Sequence, residues 1–206
     1  AALNPGAEPA RAGSPAATSA TCAAAGAELT RVRTAMVEVI QRSCAAVPGA
    51  ARIKFPLPAV ETGPEIAVSY APFHRFCVSV QREMDAKLGP LRASVRQALA
   101  QASPALRQLA ALDATFDTVL GERERRLLGT VPAMLEKRFT QLRSEHQQML
   151  ATSGQTDDSA AWLRPGAWLA RFREELCGVL LAQWELRLQP VTGLVQALAN
   201  EVNGQT

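Results

Sequence analysis

Residues 104–142 read PALRQLAALDATFDTVLGERERRLLGTVPAMLEKRFTQL, and their spacing decides the fold. Leu106, Leu109, Leu112, Phe116, Val119, Leu120, Leu127 and Val131 lead on to Leu135, Phe139 and Leu142. The steps of three and four put one apolar stripe along a helix. Ser103-Pro104 supplies an N-cap followed by a proline suited to the first helical turn. The segment ERERR over residues 122–126 is polar at every position. Its Glu122 and Arg126 are spaced for an i,i+4 pair worth roughly 0.3 kcal/mol. Pro132 follows Gly129-Thr130, and a proline in a helix interior costs about 3 kcal/mol. The pattern therefore predicts a kink there, or a new helix from Val131 or Pro132 that fades near Thr152.

The same period recurs on both sides. Leu29, Val32, Met36 and Val39 predict a helix over 24–46, closed by Pro48 and Gly49. Phe73, Cys77, Val80, Met84 and Leu88 predict a second from Pro72, broken at Gly89-Pro90, and Leu91, Val95, Leu99 and Ala102 a third from Pro90. Trp168, Leu169, Phe172, Leu176, Leu180, Trp184 and Leu188 form a broad apolar face in a block starting near Pro165. Pro190 kinks or restarts that block before Val191, Leu194 and Leu198. No strand finds a partner, so the expected fold is all-α: an elongated antiparallel helical bundle with coiled-coil-like packing and no sheet. Residues 1–22, almost free of large apolar side chains, read as a flexible N-terminal arm. Residues 23–203 read as a single helical domain, with a long irregular connection over 47–69 and a polar loop over 152–164.

Composition narrows the function. The chain has 22 basic and 19 acidic residues, and 19 of the basic ones are arginine. Acids lie among the arginines, so a phosphate-binding face is disfavoured. The four cysteines, Cys22, Cys44, Cys77 and Cys177, share no CxxC spacing, which points to a reduced intracellular protein with buried thiols and not to a disulfide framework. No apolar run reaches the roughly 18 residues of a membrane span, and no signal peptide is visible. His74 and Cys77 stand one turn apart, but a zinc site needs about four ligands, and the other histidine, His146, is remote in sequence. Neither histidine has a nucleophile in a recognisable motif, and the paired Asp157 and Asp158 lie in the polar loop. The reading is no catalytic residues, no metal and no cofactor. Arg123, Arg125 and Arg126 cluster, and Trp162 lies outside the helical stripes, so these four are the candidate partner contacts.

Three blocks resemble a known family: YAPFHRFCVSVQREMDAKLGPLRASVRQALAQASPALRQLAALD, then ERERRLLGTVPAMLEKRF, then LRLQPVTGLVQAL. Their order and spacing are similar to a domain-of-unknown-function family of beta-proteobacteria, over roughly residues 24 to 200. Ala1–Asn4 resembles the end of a further amino-terminal stretch of that family, which implies a truncated or processed product. The resemblance implies a cytoplasmic bacterial helical protein. Its genes tend to lie beside those of a large membrane protein and an OmpA/MotB-like, peptidoglycan-binding protein. That neighbourhood implies an accessory role in an envelope-associated complex, with a membrane-complex subunit as protein partner. The expected function is thus a non-enzymatic structural or interaction protein, a homodimer being a further expectation. The alternative is a nucleic-acid-associated helical protein.

Overall fold

The computed structural model describes residues 15–45, 51–57 and 68–204. Among them are five α-helices: α1 (Pro15–Ser43), α2 (Ala71–Ala102), α3 (Pro104–Leu128), α4 (Val131–Ser153) and α5 (Trp168–Gly204), with one short 3-10 turn at Ser159–Ala161. There is no strand among the described residues, and the all-α bundle expected from the sequence is the fold observed.

The direction of each helix follows from which residues meet. Arg92 pairs with Asp117 and Arg96 with Asp113, so α2 and α3 are antiparallel. Ala24 lines a groove with Gln101, and Ala35 lines one with Ala86, so α1 and α2 are antiparallel. Arg138 pairs with Glu175, and the His146 ring stacks on Trp168, which makes α4 antiparallel to α5. In contrast, Gln81 reaches Gln183 and Asp85 reaches Arg187, so α2 and α5 run the same way. Helices α3 and α4 therefore share one direction. Gln81 donates to the Leu128 carbonyl at 3.3 Å, and the Tyr70 hydroxyl donates to the Pro132 carbonyl at 2.7 Å. The handover at Gly129–Thr130 thus passes along the N-terminal end of α2, and α3 with α4 fills the fourth position of the bundle.

The core runs the length of α5, where Phe172, Leu176, Leu180, Trp184, Leu188 and Leu198 are all fully buried. Its densest part is an aromatic knot at one end. Phe172 lies 5.6 Å from Phe73 and 5.2 Å from Phe139, ring centre to ring centre. Phe139 in turn packs edge-on against Trp168, and Trp168 against Trp162. Phe55, from the segment between α1 and α2, folds back onto Phe73 and Phe76, and its N–H donates to the Ser43 carbonyl at 2.8 Å. The part of the 47–69 connection that is described is therefore packed; residues 46–50 and 58–67 lie outside the described residues.

Three helix boundaries differ from the sequence expectation. Helix α1 begins at Pro15, so residues 15–22 of the expected arm are helical, while residues 1–14 lie outside the described residues. Its Ala-rich first turns carry little apolar area but high intrinsic helix propensity, and they extend a helix already anchored at Leu29, Met36 and Ile40. Helix α2 runs unbroken through Pro90, and α5 passes Pro190 without the restart that was one of the two expectations there. Leu88 and Leu91 on either side of Pro90 are buried, as are Leu188 and Val191 around Pro190. Packing on both sides offsets the hydrogen bond each proline removes, and local sequence rules do not see it. The break expected at Pro132 does occur, with α4 starting at Val131. That helix ends at Gly154, whose φ of 66° is the left-handed cap conformation and whose N–H bonds the Leu150 carbonyl.

Candidate protein-docking face

The third helix has an unusual cross-section. Ser103 ends α2 and starts α3, its hydroxyl accepting from the Leu106 N–H at 3.3 Å. Ser103→Ala removes this cap and is expected to lower unfolding free energy by about 1 kcal/mol, measured by denaturant titration. The first turns pack on α2 through Leu106 and Ala110, the two buried residues of the helix. Beyond them the side facing the bundle is polar.

Asp113 accepts from both Arg92 and Arg96 at 2.6 Å, and Asp117 accepts from the same two arginines at 2.7 and 2.8 Å. The Arg92 and Asp113 side chains are mostly hidden from solvent. Burial pushes the Asp113 carboxyl up, but the hydrogen bonds from Arg92 and Arg96 outweigh it and hold the group below the ordinary carboxylate range. Further along, Glu124 lies 3.4 Å from Arg187, which also pairs with Asp85. Charge pairs, and not an apolar seam, tie this part of α3 to the bundle.

The apolar side chains instead point outward. Leu112, Phe116, Val119, Leu120 and Leu127 are each more than half exposed, from 51% to 66%. At about 100° per residue they fall on one stripe, beside the line of Asp113, Asp117 and Glu124. The five together expose on the order of 500 Å², near the top of the range for the largest apolar patch on a monomer. The sequence reading placed these residues on one apolar stripe, and the structure turns that stripe to solvent. Period alone places them on a common face; it does not say which face turns inward. A signal was present. Arg92 and Arg96 before the Ser103-Pro104 hairpin, and Asp113 and Asp117 after it, are i,i+4 pairs that an antiparallel register brings opposite each other.

The partner contacts expected from the sequence separate. All three arginines of the ERERR segment are exposed. By helical geometry Arg123 lies within the apolar stripe and Arg126 at its edge. Arg126 makes only a long 3.9 Å pair with Glu122. Arg125 is turned away from the stripe, and its Nε donates to the Gly121 carbonyl at 3.1 Å. Trp162 is corrected outright. It is 2% exposed, packs against Trp168, and its indole N–H donates to Asp157 at 2.6 Å. Asp157 supplies the polar partner that lets a tryptophan outside the regular helices be buried.

Asp157 also meets His146 Nε2 at 3.0 Å, so this histidine and carboxylate hold an indole in place, with no nucleophile in the trio. A groove of about 260 Å³ beside them is lined by Leu142, His146, Met149, Trp162, Trp168 and Arg171. Among the described residues no group of three or more His, Cys, Asp or Glu is arranged to hold a metal ion. No described helix is long and apolar enough to cross a membrane.

No curated protein and no solved structure matches the chain. The model of the family described as "Protein of unknown function (DUF3348)" matches residues 1–200. With nearly its whole length matched, and with the helical architecture the sequence blocks anticipate, this chain belongs to the DUF3348 family.

Proposed function

We propose that this is a non-enzymatic interaction protein that docks a protein partner along α3. The observation that carries this reading is the inversion of that helix, whose ion pairs face the bundle while Leu112, Phe116, Val119, Leu120 and Leu127 face solvent. Exposed aliphatic and aromatic side chains in one stripe are what a helix-in-groove or helix-on-helix partner buries. Arg123 lies within the stripe and Arg126 at its edge, so the fitting partner surface is apolar with acidic groups set to meet them. The nucleic-acid alternative is weaker, because Arg92 and Arg96 spend their charge on Asp113 and Asp117. The finer reading, a cytoplasmic accessory of an envelope-associated bacterial complex whose partner is a membrane-complex subunit, rests on the family's gene neighbourhood.

The test is a double variant, Phe116→Glu with Leu120→Glu. Both positions are solvent-facing, so stability should stay within about 0.5 kcal/mol of the parent. Affinity for the partner recovered from native cells by crosslinking should fall at least about 30-fold, as for loss of a central hot spot. Retention of every partner by a well-folded double variant would remove the docking role from α3. Light scattering over a range of concentrations separates the two: a homodimer through this stripe gives a dimer mass that the double variant loses, whereas a different partner leaves the purified chain monomeric.

A further inference from the structure

The solvent-facing stripe of α3 has a symmetric spacing. Leu112, Phe116, Val119, Leu120, Arg123 and Leu127 follow one another by four, three, one, three and four residues. The series reads the same from either end, and its midpoint falls between Val119 and Leu120. Turning the helix end for end about that midpoint puts Leu112 in the place of Leu127, Val119 in that of Leu120 and Phe116 in that of Arg123. All six side chains are exposed, and helical geometry keeps them within about 100° of the circumference.

We propose, on the basis of the α3 docking role, that the occupant of this face is a second copy of the chain. The two α3 helices lie antiparallel about a twofold axis that passes between Val119 and Leu120. A twofold interface sets residue i against j and j against i. A stripe that reads alike in both directions meets that requirement, which a different partner does not impose. In this register Leu112 meets the second copy's Leu127 at each end, and Val119 and Leu120 fill the centre. Arg123 meets the ring of the second copy's Phe116, a cation–π contact that accounts for a guanidinium set among apolar side chains. Arg126, at the edge, keeps its own Glu122. A parallel pairing would instead stack Arg123 on Arg123. The antiparallel one separates them by about seven residues, or 10 Å along the axis, more than the roughly 8 Å Debye length at physiological salt.

The area is near what a dimer needs. The five apolar side chains bring on the order of 500 Å² from each copy. Thr115, Arg123 and Arg126 are exposed beside them and carry each face towards the roughly 800 Å² of a stable interface. The contact is therefore at the small end of the range, and the dimer should form as concentration rises.

Light scattering on the whole chain, at up to about 1 mM protein, should show the mass rise from one chain to two and no further, because a twofold contact closes on itself. The register is read by cross-linking. Leu112→Cys and Leu127→Cys, both at exposed positions, would be prepared separately, mixed and treated with a short bis-maleimide. Mapping the linked peptides by mass separates these links from any through the native cysteines. The expected product joins position 112 of one chain to position 127 of the other. Neither variant alone should link to itself at its new thiol, since those sites stand about 15 residues, or 22 Å, apart along the pair. A mass of one chain at every concentration overturns the second copy as occupant and leaves the docking role to the double variant's effect on a different partner. Growth beyond two chains overturns the twofold contact. Links from 112 to 112 and from 127 to 127, without links from 112 to 127, overturn the antiparallel register.

Discussion

Phe172→Ala is expected to lower the unfolding free energy by about 3–5 kcal/mol, the range for deleting a buried aromatic ring. The side chain is fully buried and meets Tyr70, Phe73 and Phe139. These rings come from the start of α2, from α4 and from the start of α5. Alanine there leaves a cavity bordered by rigid rings that cannot collapse into it, and each ring loses an edge-on contact of its own. A domain of this size has about 5–15 kcal/mol in total, so the variant should unfold at much lower denaturant. The informative control is Phe116→Ala. It is the same substitution on α3, at a residue 51% exposed, and should change stability by no more than about 0.5 kcal/mol. Equal losses at the two positions, in equilibrium denaturant titrations, would contradict the assignment of inner and outer faces.

The second large effect is electrostatic. Asp113→Ala should cost about 3 kcal/mol at neutral pH, the lower end of what is seen when one partner of a buried ion pair is removed. The loss comes from what remains. Arg92 and Arg96, with side chains 12% and 21% exposed, would share only Asp117, itself 40% exposed. The pH dependence has a definite sign. The folded-state carboxyl is held below its ordinary value of 3.8. Its contribution is therefore fully present above that value and is lost as pH falls through the folded pKa. Wild type and variant should differ most at neutral pH and converge below about pH 4. A gap that stays constant into acid would mean that Asp113 acts through packing and not through charge.

Much of this fold can be read in the residues, and the exceptions share a cause. Ser103-Pro104 and Val131-Pro132 mark helix starts because capping and the missing proline N–H act within one turn. The interior prolines Pro90 and Pro190 mislead because what keeps their helices continuous is burial against other helices, on both sides of each ring. Trp162 differs: its partners Asp157 and Trp168 lie only five and six residues away, but the irregular segment that joins them has no period to show the ring turning inward. The docking face is the sharpest case. The repeat Leu112, Phe116, Leu120 is a correct reading of a stripe, but only the register of α2 against α3 sends Asp113 and Asp117 inward and the leucines out.

The break at Gly129–Thr130 divides the fourth position of the bundle into halves held by different forces. Helix α4 is fastened by Phe139 in the aromatic knot, while α3 beyond Ala110 is fastened by carboxylates and guanidinium groups. Detaching α3 beyond Ala110 costs ion pairs, whereas detaching α4 costs ring contacts.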